Sequence, residues 1–113
     1  MCSDQSDSTP QLEFTWDPDK ATSNISKHGV SFPQAASVFA DAVALTVFDA
    51  EHSEFEERWF TLGTANNGKL WVVSHTHTAT SAGNAQVRII SARAATRSER
   101  RQYEGEPRLR QRK

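Results

Sequence analysis

The sequence predicts one α+β domain, in which an antiparallel sheet of about four strands and a short N-terminal strand pack with three helices. The chain has 113 residues, which is the length of a single domain. Apolar residues recur at helical spacing before residue 41 and alternate with a period of two after it. Consecutive strands joined by short links are expected to pair antiparallel. In an α+β domain of this kind we expect the helices to lie on one face of the sheet.

The N-terminal elements carry start and stop signals. Residues 12–16 (LEFTW) alternate apolar and polar side chains, which predicts a short strand. Asp17 suits a helix N-cap, and Pro18 suits the first helical position, where its missing N–H donor costs nothing. The helix should run from Pro18 to about His28, where Gly29 supplies the left-handed residue that ends it.

A second helix is predicted directly after the first. Ser31 and Gln34 form the S-x-x-Q pattern of a capping box. Apolar residues then recur at i, i+3, i+4 and i+7, and this stripe is expected to face the core: Phe32, Ala35, Ala36 and Phe39. The helix should end near Asp41.

The rest of the chain is predicted to be rich in strands and closed by a helix. Alternating or apolar runs predict strands over 42–49, 58–64, 69–78 and 86–93. The sequence NNG at 66–68 marks a turn, and the apolar run 70–73 favours a central strand buried on both faces. Thr96 and Glu99 form a second capping box, which predicts a last helix over 97–104.

Charge is distributed unevenly along the chain. Residues 1–87 carry 4 basic and 11 acidic side chains, a net charge of −7, whereas residues 88–113 carry 9 and 3, a net charge of +6. The basic end suits a polyanion or an acidic protein as partner, although a solvated basic helix explains it equally well. Residues 1–11 and 106–113 are polar and are predicted to be disordered tails on either side of a domain at 12–105.

Composition disfavours several classes of protein. No run of about 18 apolar residues exists, so no membrane span is predicted, and the N-terminus lacks the pattern of a secretory signal. Cys2 is the only cysteine, which rules out an internal disulfide and fits a cytoplasmic protein. The sequence contains no Walker loop, nucleotide-binding glycine motif or H-E-x-x-H motif.

Arg93 is a candidate phosphate ligand. Alternation places four residues of the last predicted strand on one face: Val87, Ile89, Ser91 and Arg93. An arginine at the end of this series would lie at the rim of the core, and its fork of donors suits phosphate. An arginine that reaches solvent and pairs with a surface carboxylate explains the position as well, and position alone favours this structural explanation.

Lys27 and His28 lie together in the last turn of the first predicted helix. Their charge opposes the negative end of the helix dipole, which is a complete structural explanation. Histidine also titrates near pH ~6.5 and lysine binds phosphate as a point charge, so the pair suits phosphodiester cleavage. Arg58 begins a strand beside Glu56 and Glu57, where a surface ion pair contributes at most about 1 kcal/mol.

Two further groups have structural and functional interpretations. His75 and His77 are two residues apart, on one face of the predicted strand, and such a spacing can bind a metal. Because no third ligand is obvious in the sequence, two structural histidines are favoured. Tyr103 and Trp71 have ring faces that stack on bases, although aromatic residues in a small domain are more often part of the core.

The ordered motifs of the chain resemble a known family. The motifs are FTWDPDK at 14–20, SKHGVSF at 26–32, VFAD at 38–41, EERW at 56–59, VSHT at 73–76 and RIISARAATRSERRQYE at 88–104. In this order and spacing, over about residues 12–104, they resemble the BrnT family of bacterial toxins. Single motifs are unspecific, but KHGVSF together with RIISARxATxxER is highly specific.

The resemblance implies a RelE-like fold and a cytoplasmic endoribonuclease that cuts RNA without a metal or other cofactor and stops translation. It also implies a cognate antitoxin with a ribbon-helix-helix DNA-binding domain. The antitoxin would mask the toxin, and the complex would reach its operator DNA only through the antitoxin.

The resemblance also implies roles for matching residues. Lys27 and Arg93 would hold the scissile phosphate and stabilise its developing charge. His28, or a carboxylate such as Glu57, would assist proton transfer from the ribose 2′-OH, and Arg58 would bind backbone or the pentavalent phosphate. Further RNA contacts would come from four residues: Arg88, His77, Arg97 and Tyr103.

The loop after VSHT departs from the family pattern. Family members often carry an arginine near the position of Thr78, where this chain has the longer loop HTHTATSAGN. Either one phosphate contact is missing in this chain, or His77 or Arg88 supplies it. Two other hypotheses stay open: a catalytically inactive RelE-like partner that binds an antitoxin or repressor and modulates DNA binding, and a metal hydrolase at His75 and His77.

Overall fold

The computed structural model describes residues 11–81 and 83–105, so the predicted tails lie outside the described residues except for Gln11. Strands β1 to β6 span Leu12–Trp16, Leu45–Phe48, Trp59–Thr64, Leu70–His75, Thr78–Ala79 and Ala85–Ala94. Helices α1, α2 and α3 span Pro18–His28, Phe32–Ala36 and Arg97–Tyr103. The α+β class is therefore as predicted.

The strands form one sheet in the order β1-β6-β4-β3-β2, and the two-residue β5 pairs with β6. Strands β2, β3, β4 and β6 pair antiparallel, as predicted. The first strand differs, because β1 pairs with β6 in parallel. No short link joins these two strands, so the expectation of antiparallel pairing, which depends on short links, does not apply to them. The strand count also exceeds the prediction by one, through β5.

The helices lie on both faces of the sheet, so the prediction of a single helical face was wrong. Helices α1 and α2 cover one face over the main core, whose buried members include Phe32, Val38, Trp71, Val73, Val87, Ile89 and Ala92. Helix α3 lies on the other face, where Tyr103 packs against the buried cluster Leu62, Leu70 and Val72. Strand β4 is consequently buried on both faces, as its apolar run predicts.

The predicted helix signals at Asp17, Gly29, Ser31 and Thr96 all mark helix ends. Asp17 Oδ1 accepts the N–H of Asp19 at 2.9 Å, and Gly29 ends α1 in the left-handed region with φ 71°. Both halves of the capping box between Thr96 and Glu99 form. Helix α2 is shorter than predicted, because after five residues it passes into a 3₁₀ turn, Ser37–Ala40.

The capping box predicted for α2, between Ser31 and Gln34, is only half formed. Ser31 Oγ accepts the N–H of Gln34 at 3.3 Å. The side-chain oxygen of Gln34 is buried and has no hydrogen-bond partner among the described residues. The sequence pattern S-x-x-Q therefore marks the helix start correctly but not the reciprocal bond.

Two strand limits differ from the prediction. Strand β2 begins late because Asp41 forms a turn, in which its carboxylate accepts the N–H of Val43 at 3.1 Å and its carbonyl that of Ala44 at 3.1 Å. Strand β4 ends at His75, so the predicted strand 69–78 is interrupted before β5.

A β-bulge in β6 changes which residues share a face. The register shifts opposite Ser74 and His75: Ile89 pairs with His75, whereas Ser91 pairs with Ser74. Ile90 is therefore the extra residue of the bulge.

The bulge corrects the predicted face of Arg93. Val87 and Ile89 point into the main core, but Ser91 and Arg93 point to the opposite side, because Arg93 pairs with Val72. The expectation that all four residues share one face was wrong. We call the side opposite α1 and α2 the arginine face.

Candidate active site

Asn24 fixes the last turns of α1 against the sheet. Its Nδ2 donates to the carbonyl oxygens of Val30 and Ala92, each at 2.9 Å, and its Oδ1 accepts the N–H of Ala92 at 3.0 Å. The residue is only 4% exposed. Strand β1 has ended before this point, so one amide side chain takes the place of a neighbouring strand along β6.

Lys27 and His28 follow Asn24 by three and four residues and are exposed. Both line a cavity of about 260 Å³ between α1 and β6, together with Ile90 and Ser91. His28 also lines a second cavity of about 460 Å³ that reaches Trp71 and Ala94. The histidine therefore lies between two open cavities, with the lysine in one of them.

Ser91 connects this cavity with the arginine face. It lines the cavity that holds Lys27 and His28, and it precedes Arg93 by two residues on the same strand face. At about 3.3 Å per residue, the backbone of Arg93 lies about 7 Å further along β6. The structure thus brings Lys27 and His28 together and places Arg93 next along the strand, outside the lining of that cavity.

Arg93 is held by Glu99 through two parallel hydrogen bonds. Nη1 donates to Oε1 and Nη2 donates to Oε2, each at 2.9 Å. These bonds lower the pKa of Glu99 to about 2, and the same pairing raises the pKa of Arg93. The two side chains are 40% and 28% exposed, so the pair remains open to solvent.

A second cationic cluster lies further along the arginine face. Arg88 Nη2 donates to Glu56 Oε2 at 2.6 Å, and Arg58 Nη2 donates to the same oxygen at 3.3 Å. The hydrogen bond from Arg88 holds the pKa of Glu56 below its ordinary value. Two guanidinium groups share one carboxylate, so the cluster keeps an excess positive charge that suits an anion.

His75 is buried and fully hydrogen-bonded. Its Nδ1–H donates to the carbonyl of Thr76 at 3.0 Å, so Nε2 accepts from Thr61 Oγ1 at 2.7 Å. Burial lowers the pKa of His75. His77 is exposed beyond the end of β4 and shares only a cavity of about 340 Å³ with His75.

The metal-hydrolase hypothesis finds no support at these histidines. Both ring nitrogens of His75 are engaged, so neither is free for a metal without breaking a hydrogen bond. Within residues 11–81 and 83–105, no group of three histidine, cysteine or carboxylate side chains is placed to hold a metal ion.

Tyr103 belongs to the fold rather than to an open surface. Its hydroxyl donates to Asp41 Oδ2 at 2.5 Å and accepts from Thr64 Oγ1 at 3.0 Å. The ring packs on the cluster beneath α3. Hydrogen bonds from the Thr64 backbone and from Tyr103 lower the pKa of Asp41, and the carboxylate raises the pKa of Tyr103.

Comparison with known proteins decides the family. The sequence model described as the ribonuclease toxin BrnT of type II toxin–antitoxin systems matches residues 16–99. The chain belongs to the BrnT family. No curated protein matches the sequence significantly. The crystal structure of the Brucella abortus ribonuclease toxin BrnT, determined at 1.1 Å resolution, is similar with a TM-score of 0.51 and 21% identity, over 79% of this chain and 100% of that chain.

Membership of the BrnT family confirms the resemblance drawn from the ordered motifs, and the structural likeness supports the mixed α+β fold. The roles of individual residues stay predictions. No helix within the described residues is long and apolar enough to cross a membrane.

For this BrnT family member, sequence reasoning named both Glu56 and Glu57 beside Arg58 and took Glu57 as a candidate base. Glu56 is the carboxylate that bonds both arginines, while Glu57 is exposed. Spacing does not decide between adjacent carboxylates in an irregular loop. Sequence reasoning missed Asn24, which the sequence marks only as a single amide about one helical turn before the lysine and histidine. Arg97, another predicted RNA ligand, is exposed in the first turn of α3.

Proposed function

We propose that this member of the BrnT family is an endoribonuclease that cuts RNA without a metal ion and thereby inhibits translation. The observation that carries the proposal is the position of Arg58, Arg88 and Arg93 on the arginine face, together with the cavity between α1 and β6 that Lys27 and His28 line. Arg88 and Arg93 are about 15 Å apart along β6, at about 3 Å per residue. A row of cations of this length suits the backbone of single-stranded RNA.

The proposed chemistry is transfer of the phosphodiester to the neighbouring ribose oxygen. The 2′-OH gives its proton to a base, either His28 or Glu57, and its oxygen attacks phosphorus. The bond from phosphorus to the 5′ oxygen breaks, and that oxygen takes a proton. The products carry a 2′,3′-cyclic phosphate and a 5′-hydroxyl.

Electrostatic stabilisation is the larger part of this mechanism. Lys27 and Arg93 bind the non-bridging oxygens, on which negative charge accumulates in the pentavalent state. Arg58 holds the adjacent backbone or the same phosphate. The bidentate geometry of the arginines suits phosphate oxygens better than a single ammonium does.

The outer contacts to RNA would come from Arg88, His77, Arg97 and Tyr103. Arg88 and Arg97 are exposed and can reach phosphate, and His77 is exposed at the rim of its cavity. Tyr103 contributes chiefly by holding α3, because its hydroxyl is already engaged with Asp41. Arg88 or His77 would compensate for the missing arginine near Thr78.

The proposed partner is an antitoxin with a ribbon-helix-helix DNA-binding domain, which masks the toxin and carries the complex to operator DNA. The family description, a toxin of a type II toxin–antitoxin system, supports a protein antitoxin. The proposed site of action is the cytoplasm.

Cleavage of labelled RNA in excess EDTA tests the proposal. Wild-type protein should cut the RNA and leave 2′,3′-cyclic phosphate ends, which mass spectrometry identifies. Arg58→Ala should cut at least tenfold more slowly, and Arg101→Ala, which removes an exposed arginine of α3, should cut at the wild-type rate. If folded wild-type protein leaves RNA intact both in EDTA and with Mg²⁺ restored, the nuclease proposal fails.

A second candidate function is a non-catalytic partner of an antitoxin or repressor that modulates DNA binding. The pair of Arg93 with Glu99 favours this function. Nη1 and Nη2 of Arg93 both donate to Glu99, so the arginine must release the carboxylate before these two groups can bind phosphate together. The absence of cleavage by a folded protein that still binds its antitoxin would support this function.

A further inference from the structure

The outer edge of the sheet at β2 is an open strand without the usual protection. Strand β2 is the last in the sheet order and pairs only with β3 among the described strands. Its sequence, Leu-Thr-Val-Phe, contains no charge, proline or bulge. Natural sheet edges usually carry one of these features, because unpaired backbone groups attract other strands. An edge of this kind therefore points to a partner.

Both faces of this edge expose apolar side chains. Leu45, Val47 and Phe48 are 41%, 60% and 47% exposed. Val43 and Phe55, which flank the strand in sequence, are 63% and 92% exposed. The opposite edge of the sheet differs, because the second half of β1 is partly buried.

The same edge is strongly acidic. Residues 41–57 contain six carboxylates and no lysine or arginine. Three of these carboxylates have partners: Asp41 bonds Tyr103, Asp49 bonds His52, and Glu56 bonds two arginines. The other three are exposed and form no ion pair within the described part of the chain: Glu51, Glu54 and Glu57.

Charge decides which occupant fits. A second copy of this chain, paired edge to edge, would bring two such acidic segments into one interface, where like charges repel. An extended segment that carries arginine or lysine would instead be attracted to the free carboxylates. Main-chain hydrogen bonds would supply affinity, and alternate side chains would supply specificity.

We propose that the β2 edge binds an extended, positively charged segment of a partner protein, which adds to the sheet as a further strand. Under the proposed function this partner is the antitoxin. The identity of the partner therefore rests on that proposal. Leu45 and Val47 lie on the arginine face, since they pair with Leu62 and Phe60. The added strand should therefore present apolar side chains to that face, and its basic side chains should pair with the exposed Glu51 and Glu54.

The test uses full-length protein and a synthetic peptide of alternating arginine and valine, seven residues long. We expect Val47→Lys to weaken peptide binding about tenfold, because it adds positive charge and removes an apolar contact at the edge. Leu12→Lys, which makes the same change on the opposite edge strand, should bind like wild type. Glu51→Gln combined with Glu54→Gln should weaken binding and reduce its dependence on salt.

Two controls separate strand addition from simple charge attraction. The same peptide with alternate backbone nitrogens methylated keeps its charge but cannot donate hydrogen bonds, so it should bind at least tenfold more weakly. In wild-type protein, peptide binding should slow hydrogen exchange at residues 45–48. Equal binding of the methylated peptide, or equal binding by Val47→Lys and Leu12→Lys, would overturn the proposal.

A second copy at this edge would also overturn it, and sedimentation would detect a dimer that Val47→Lys disperses. Measuring RNA cleavage by the same variants tests the docking site and the nuclease proposal separately. Val47→Lys should cut RNA like wild type. Peptide binding at β2 by a protein that cuts no RNA would leave the docking site standing and remove only the nuclease proposal.

Discussion

Arg93 and Glu99 are joined by two parallel N–H···O hydrogen bonds of 2.9 Å. The same carboxylate accepts the N–H of Thr96 at 2.8 Å as part of the capping box of α3. One glutamate therefore caps the start of the helix and orients the arginine. A change at Glu99 should consequently affect both RNA cleavage and stability, and the two effects can be measured separately.

Loss of Arg93 should affect cleavage more than loss of its partner. Arg93→Ala should lower the rate of RNA cleavage about 100-fold, because it removes a donor pair from the developing phosphate charge. Glu99→Gln should lower it less than tenfold, since the guanidinium remains present but is less firmly oriented. Initial rates on labelled RNA, with Arg101→Ala as the matched arginine control, measure both. Wild-type rates for Arg93→Ala would remove this arginine from the site.

The stability that Glu99 contributes should disappear in acid. The pKa of Glu99 is about 2 in the folded protein and 4.5 as the ordinary value, so the unfolded chain binds a proton at higher pH. The contribution is therefore complete above pH 4.5 and is lost as pH falls towards 2. After allowance for solvent screening, Glu99→Gln should cost about 1 kcal/mol at pH 7.

Urea unfolding of wild type and Glu99→Gln at pH 7, 5 and 3 measures this difference. The two proteins should approach each other in stability at the lowest pH. A difference that is the same at all three values would show that the helix cap, rather than the ion pair with Arg93, carries the contribution.

Asn24 should be essential for stability although it is a polar residue within a helix. Asn24→Ala removes three hydrogen bonds and leaves buried carbonyl groups of Val30 and Ala92 unpaired, which should cost about 2–4 kcal/mol. Asn24→Asp should be at least as damaging, because a carboxylate cannot donate to either carbonyl. Chemical unfolding measures both, with the exposed Ser26→Ala on the same helix as control. A cost below about 0.5 kcal/mol, the scale of a surface substitution, would contradict this role.

The helix ends were predictable from sequence because their signals are local. Asp17, Gly29 and Thr96 act within a few residues of themselves, and each performs the role that its type and position predict. The parallel pairing of β1 with β6 was not predictable in this way, since the two strands are separated by most of the chain.

The geometry of the candidate site was not predictable from the sequence. One extra residue at Ile90 reverses the face of everything after it, so period-two counting put Arg93 with the core residue Ile89. A bulge leaves little trace in a single sequence. Likewise, the choice of Glu56 over Glu57 depends on the distant Arg88, which local spacing does not reveal.

The buried His75 should make the protein sensitive to mild acid. A chain of hydrogen bonds runs from Thr46 through Thr61 to Nε2 of His75, and Nδ1–H continues it to Thr76. Burial lowers the pKa of His75, so between pH 6.5 and the lower folded value only the unfolded histidine binds a proton. The stability that this group contributes is thus complete above pH 6.5 and is lost as pH falls through that window.

Replacing the donor to this histidine tests the arrangement. Thr61→Val leaves Nε2 of His75 buried without a partner and should cost about 1–3 kcal/mol at pH 7.5. Thr46→Val, one step further along the chain of bonds, should cost less, and His77→Gln at the exposed neighbour should cost almost nothing. Urea unfolding at pH 7.5 and 5.5 measures all three. If Thr61→Val proves as stable as His77→Gln, then His75 does not depend on the threonine for its neutral state.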